Sequence, residues 1–476
     1  MNFRLSSGTD KNKVFIVRRS ELEGRLDPFF YRTDLREIDT LVRGKAERFL
    51  GDFALTMDGG ATPLKAGGDE YYADESVGIP LLRVQNITEE GINFDNLVFI
   101  NQQTHENYLS RSRVFGGDLL VTITGRIASS AVAPEGFEGN INQHSVVIRT
   151  RNKRISDYLA VFLNSKIGQK LAIKRTTGGT RPALDYKALI KIPVIEGLPV
   201  VEIMRKAYLA KKEKEEQAKK LLDGIDDYLL GELGIELPEV EEGTLESRIF
   251  TRRLSEVSGG RLDADYYAKY YKRLESKVLS AEFSAKPLKE VTILIANGST
   301  PASADYSDGP TSYSIIKAGS YEGDFVVLSK TGYTKTKREK TVEKDDIFIL
   351  SAAHQAGYVG RSLMYLENEP EKDTAFVGEL ICIRTNREIC DPVYLYSLLN
   401  TWVYKELLNR EKTGQTSHIY PSDIKYIHLP LPPIEKQTRI ASHIAQIRNQ
   451  AKRLREQAKA DLEQAKQEVE TMILEW

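Results

Sequence analysis

Two segments of this chain carry apolar residues at alternating steps of four and three, the spacing that lays a stripe along one side of a helix. In the first, Met204, Tyr208, Lys211, Glu215, Ala218, Leu222, Ile225 and Leu229 keep the step, with two polar positions in the middle. In the second, Ile440, Ile444, Ile447, Ala451, Leu454, Ala458, Leu462, Ala465, Val469 and Met472 keep it, with one extra step of four. Lys, Glu, Gln and Arg fill the surroundings. A lone amphipathic helix of this length is marginal in water, so each stripe needs a partner, and the economical one is the other stripe. The pattern predicts an intramolecular antiparallel coiled coil, a rod roughly 50 Å long at the helical rise per residue. The alternative is two helices, each packed on its own domain.

Away from these stripes the texture changes to short β-rich runs such as Leu119 to Thr124, Ser145 to Arg149, Ile347 to Leu350 and Leu380 to Arg384, punctuated by Gly, Asn and Pro. That predicts an α+β domain with a modest sheet, and the chain holds it twice. Gly24-Arg-Leu-Asp27 returns as Gly260-Arg-Leu-Asp263, an offset of 236 residues. At the same offset Tyr158-Leu159 faces Tyr394-Leu395, Asn164 faces Asn400, and Thr177-Gly-Gly-Thr180 faces Thr413-Gly-Gln-Thr416. The period is too long for a solenoid, so it marks duplication of a domain and the helix that follows it. Asp27 suits an N-cap and Pro28 a first helical turn, with a helical pattern continuing to about Arg43; Asp263 opens the second copy likewise. The expected divisions are a first domain at 1–199, a central helix at 200–235, a second domain at 236–430 and a C-terminal helix at 431–476. The acidic run Gly231 to Glu246 reads as the hinge between halves.

Composition narrows the function classes. No run of apolar residues is long enough to span a bilayer, and the polar start gives no secretory segment, so no membrane association is expected and the expected compartment is the cytoplasm. Cys382 and Cys390 are too few for a disulfide framework. The net charge of −1 does not point to nucleic acid, but the charges are segregated. Arg154 to Lys191 holds eight basic residues against two acidic, Lys330 to Lys344 six against two, and Gly231 to Glu246 six Glu with no Lys or Arg. Such a chain can hold anions on one surface while remaining neutral as a whole. No phosphate-binding Gly-x-x-x-x-Gly-Lys-Ser/Thr loop occurs, and the six His are scattered without metal-ligand spacing. Asp27-Pro28-Phe29-Phe30 lacks the second proline of an adenine methylase grip. No cofactor or metal is therefore expected on this chain, and no catalytic residue is nominated.

The candidates are polar loops suited to DNA. Lys174, Arg175, Thr177, Gly178, Gly179, Thr180 and Arg181 combine cations, hydroxyls and glycines that can meet phosphates or base edges. Their counterparts are Lys412, Thr413, Gly414, Gln415, Thr416, Ser417 and His418, with the frame kept while Gly179 becomes Gln415 and Arg181 becomes Ser417. Further tips are Gln85 and Asn86, Thr124 and Arg126, Gln143 and His144, Lys317, and His354 and Gln355. Asn and Gln suit adenine, and Arg suits guanine. Each tip could equally hold its own loop together.

The run Leu429-Pro-Leu-Pro-Pro-Ile-Glu-Lys-Gln before a heptad helix, the Thr-Gly-x-Thr loops and the doubled layout resemble the DNA specificity subunit of Type I restriction–modification systems. The first copy has only the degraded Ile192-Pro-Val-Ile-Glu-Gly-Leu-Pro199. The resemblance implies two target-recognition domains, each reading half of a split, asymmetric double-stranded DNA site, with the helices as a ruler between them. It implies a non-catalytic chain flanked by two methyltransferase subunits, which carry S-adenosylmethionine chemistry on adenine N6, and by restriction/motor subunits that use ATP and magnesium. Half-sites one DNA turn apart, about 34 Å, lie within reach of such a rod. Two alternatives stay open: a recognition module of another DNA modification or defence complex, and a structural adaptor that binds no DNA.

Overall fold

The computed structural model describes residues 5–64, 70–237, 249–257, 261–309, 312–353, 356–413 and 417–475. Contacts divide the chain into two units, Met1–Glu216 with Leu454–Trp476, and Gln217–Arg453. The division falls inside both long helices, Val200–Glu232 and Ile434–Glu475. Each unit therefore owns a piece of each helix. Most of the acidic run expected as a hinge lies outside the described residues.

In the first unit the stretch after Asp27 does not form one helix. Pro28–Tyr31 is a 3-10 turn capped by the Asp27 side chain, and the α-helix Thr33–Lys45 starts after a break at Arg32, whose extended backbone resets the axis. One sheet orders the strands Ala54–Gly59, Ser145–Thr150, Leu119–Thr122 and Ser130–Val132; a second orders Val98–Ile100, Ile79–Leu82, Glu138–Ile141 and Arg113–Phe115. In place of the modest sheet expected from sequence there are thus two four-stranded sheets and two short two-stranded ones among the described residues, because strands of three or four residues leave too little alternation to count. Helices Lys153–Asn164 and Lys166–Lys174 cover the first sheet and are capped by Asn152 and Ser165. Their buried Leu159, Phe162 and Leu171 share one core with Met204, Ala207, Leu462, Ala465, Val469 and Ile473 of the long helices. The two helical segments run in opposite directions: Lys214 pairs with Asp461, while Lys211 and Lys466 reach the neighbouring Glu90 and Glu89. At the last turn Ile473, not Met472, is the fully buried residue.

The second unit repeats the plan on its own. Its six-stranded sheet begins Thr292–Asn297, Leu380–Thr385, Ile347–Leu350, Leu363–Tyr365, and a four-stranded sheet contains the parallel pair Tyr313–Ile316 and Ala375–Phe376. The first unit has the matching parallel pair, Ile79–Leu82 with Glu138–Ile141. Helices Pro392–Leu399 and Trp402–Arg410 bury Tyr394, Leu395, Leu398 and Tyr404 against Ile225, Leu229, Ile440 and Ile444. Here Tyr228 meets His443 at 4.4 Å between ring centres and Glu232 meets Lys436 at 3.4 Å, again an antiparallel pairing. Within each unit a segment of one long helix runs antiparallel to a segment of the other and both share the domain's core, so neither helix packs only on the domain that precedes it. Cys382 and Cys390 are free and buried, and burial pushes both thiols up, Cys390 to about 12. Among the described residues no helix is long and apolar enough to cross a membrane.

Candidate nucleic-acid interface

The repeated Gly-Arg-Leu-Asp motif explains how each Thr-Gly-x-Thr loop is held. Arg25 pairs with Asp27 at 2.8 Å and donates to the carbonyls of Arg175 at 3.3 Å and Thr176 at 2.6 Å, where helix Lys166–Lys174 ends. In the second unit Arg261 pairs with Asp263 at 2.7 Å and donates to the carbonyls of Arg410 at 3.2 Å and of Lys412. A guanidinium fork is suited to bridging two nearby carbonyls, consecutive in the first unit and separated by one residue in the second. Aromatic rings complete the clasp: Arg25 and Lys174 lie over Phe30 at 4.6 and 3.6 Å, and Arg261 and Arg410 over Tyr266 at 4.7 and 5.1 Å.

This arrangement corrects part of the sequence reading. Lys174 and Arg175 are 2% and 4% exposed and converge on Asp39 at 3.1 and 2.6 Å, so their charges are committed inside the domain and do not face solvent. Burial pushes both cations down, with Asp39 opposing it. Asn86 is also buried, accepting from the Arg83 amide and donating to the Asn93 carbonyl at 2.9 Å, which makes it a turn-former. In the basic run Lys330 to Lys344, Lys330, Lys337 and Arg338 pair with Glu322, Asp373 and Asp305, while Lys335 and Lys340 bind backbone carbonyls. The exposed cations left without an ion-pair partner in the first run are Arg154, Lys170, Arg181, Lys187 and Lys191, among the described residues.

Beyond the clasp the described ends of each loop pair with each other and lie on a strand edge. Thr177 and Ala183 exchange two backbone hydrogen bonds of 2.8 Å, and the Leu184 amide donates to the Ile123 carbonyl. Thr413 and His418 exchange two of 2.9 and 3.0 Å, and the Ile419 amide donates to the Ser351 carbonyl. Thr177, Gly178, Gly179, Thr180 and Arg181 are exposed at the first tip. In the second, Lys412, Thr413, Ser417 and His418 are half-buried, while Gly414, Gln415 and Thr416, like His354 and Gln355, lie outside the described residues. Gly178 takes φ +95°, and a Cβ there would sit 2.9 Å from the Arg181 carbonyl oxygen. Gly178→Ala is therefore expected to cost about 1–2 kcal/mol locally, read as roughly fivefold or faster hydrogen exchange at the Thr177 and Ala183 amides.

A polar chain joins this hairpin to other nominated tips. Thr124 bridges Ala183, its hydroxyl lies 2.7 Å from His144 Nδ1, Gln143 Nε2 lies 3.2 Å from His144 Nε2, and Thr62 donates to Gln143 Oε1. The consistent pattern has Gln143 donating to Nε2 and Nδ1–H donating to Thr124, which leaves the Thr124 proton for a further acceptor. Arg126 is exposed and tied by Nη2 to the Val84 carbonyl at 2.9 Å; Gln85, next to Val84 in sequence, is exposed. Lys317 of the second unit is exposed over the Tyr306 ring, away from any contact printed for the hairpin. Sequence reasoning missed Arg25 and Arg261, for which the repeated motif was the available signal, and Asp39, which lies outside that motif. Among the described residues no group of His, Cys, Asp or Glu is placed to hold a metal ion.

Residues 281–464 match the sequence profile of the Type I restriction modification DNA specificity domain. The match lies in the second half of the chain. A candidate type I restriction enzyme MjaX specificity subunit of Methanocaldococcus jannaschii is 23% identical over 190 residues, 39% of this chain and 44% of that relative, so the match spans less than half of the relative's length. Among solved structures, the S subunit of a Type I restriction–modification system from M. genitalium is 14% identical over 90% of this chain and 94% of its own, with a TM-score of 0.41. The HsdS subunit from Thermoanaerobacter tengcongensis is 15% identical over 89% and 95%, with a TM-score of 0.38. The matched residues include the clasp partners Arg410 and Lys412, the paired Thr413 and His418, and the Leu429–Ile440 junction into the C-terminal helix.

Proposed function

We propose that this chain is the sequence-specific DNA-binding subunit of a Type I restriction–modification complex. Each unit reads one half of a bipartite, asymmetric double-stranded site, and the helix pair sets the spacer and docks methyltransferase subunits. Restriction/motor subunits complete the complex, and S-adenosylmethionine, ATP and magnesium belong to those partners; this chain supplies address without chemistry. One observation carries the reading: two equivalently clasped hairpins stand on equivalent strand edges while their tips differ, Arg181 in one place and Ser417 in the other. A constant frame with variable contact residues is what reading two different sequences requires.

Arg181 is exposed, has no partner among the described residues, and has the geometry to grip guanine O6 and N7 in the major groove. Arg181→Ala is expected to relax discrimination by about 1–3 kcal/mol at one base pair of one half-site, leaving the other half unchanged. Methylome sequencing of a host carrying the variant checks this. Retention of duplex DNA by the full complex should also fall steeply between two salt concentrations; a structural adaptor would show no salt-sensitive retention, and that result would falsify the DNA reading.

A further inference from the structure

In each unit one residue stands directly before the central strand, at the point where the hairpin's strand edge begins. In the first unit it is His144, whose carbonyl accepts from the Ile123 amide at 2.9 Å. In the second it is Glu379, whose carbonyl accepts from the Ser351 amide at 2.8 Å. The registers agree, because Ser145 pairs with Thr122 and Leu380 with Leu350 in the matching strand pairs. Ile123 and Ser351 are also the residues whose carbonyls anchor the two hairpins. Glu379 thus occupies the node that His144 occupies in the polar chain described above.

Its surroundings are unusual for a surface meant to meet a polyanion. Glu379 Oε2 accepts from the Thr300 hydroxyl at 2.8 Å, and that hydroxyl oxygen accepts from the Gly378 amide at 3.1 Å. No cation pairs with the carboxylate among the described residues. The half-buried carboxylate is aimed by a threonine and left acceptor-only. Next to phosphates such a group is repelled, and it is tolerated where a base edge donates to it; in the major groove the favoured donor to Glu is the N4 amine of cytosine.

Resting on the DNA reading above, we infer that Glu379 is a specificity-determining residue that accepts a hydrogen bond from cytosine N4, with Thr300 as its positioning residue. The test uses the full chain with the subunits that co-purify from its host, selecting bound duplexes from a randomised library. With Glu379→Gln, cytosine preference should drop about tenfold or more at one position of one half-site, with adenine gaining, because Gln both donates and accepts. Thr300→Val should blur the same position and Thr300→Ser should restore it. A selected motif identical to wild type, or an equal change in both half-sites, overturns the assignment. If the unaltered complex selects no bipartite motif at all, the DNA reading itself has failed, which is a different outcome from an unchanged motif in the variant. A role for Glu379 confined to holding its turn predicts that Gln, of the same shape, leaves the motif untouched.

Discussion

Asp39→Ala is expected to destabilise the first unit by about 3–5 kcal/mol, the usual cost of stranding buried cations. Asp39 is 4% exposed and meets Lys174 at 3.1 Å, Arg175 at 2.6 Å and Arg43 at 3.0 Å. Lys174 and Arg175 are nearly as buried, so removing the carboxylate leaves two buried cations without their ion-pair partner, with Glu23 the remaining acidic group acting on them. The equivalent change in the second unit, Glu275→Ala, should cost about 1 kcal/mol or less. Glu275 is 37% exposed, and its partner Arg410 keeps Glu411 at 2.9 Å. Hydrogen exchange separates the two: protection in helix Lys166–Lys174 collapses with Asp39→Ala, while protection in Trp402–Arg410 barely changes with Glu275→Ala. The pH dependence has a defined sign. Burial works to raise the Asp39 carboxyl, but Arg175, then Lys174 and Arg43, outweigh it and hold the group below its ordinary value. A depressed folded pKa means the contribution is complete above the unfolded value near 3.9 and is lost as pH falls through the folded one. Asp39→Asn should therefore flatten the acid limb of the first unit's stability. An acid limb unchanged by that substitution would refute the assignment.

The same cluster shows why parts of the site could be read from sequence and parts could not. The stripes were legible because burial repeats every three or four residues along a helix: Met204, Ala218, Ile225, Leu229, Ile440, Ile444, Ala451 and Ala458 are buried as spaced. The duplication was legible because identical residues recur at one offset. Lys174 and Arg175 were misassigned because a cation count contains no partner, and Asp39 lies 135 residues earlier than Lys174. Lys337 and Arg338 lost their apparent freedom to Asp373 and Asp305 in the same way. The second sheet of each unit was hidden by strands such as Glu138–Ile141 and Ala375–Phe376, too short to show a period of two. Glu379 went unnamed because the loops differ in length, so a constant offset of 236 sets Gln143 against it, whereas strand register sets His144 there.

Inserting four residues into the central helix near Ala218, with a matching four near Ala451, should change the preferred gap between half-sites while leaving the bases read in each unchanged. Four residues add about 6 Å of helix and roughly 40° beyond a full turn. Duplex DNA rises 3.4 Å per base pair, so the preferred spacer should lengthen by about two base pairs. The matched insertion matters because pairing within each unit is antiparallel, Lys214 with Asp461 in one and Glu232 with Lys436 in the other, and a single insertion would slip the partner helix. Alanines are the chosen sites because Ala218 and Ala451 are fully buried and small, which marks helix packing close enough for an Ala-rich insert to extend without new bulk. The readout is binding by the assembled complex to duplexes whose half-sites are separated in single-base-pair steps. A shifted optimum with unchanged half-site sequences assigns spacing to the helices and base choice to the hairpins. An unshifted optimum removes the ruler role and leaves spacing to features within each unit.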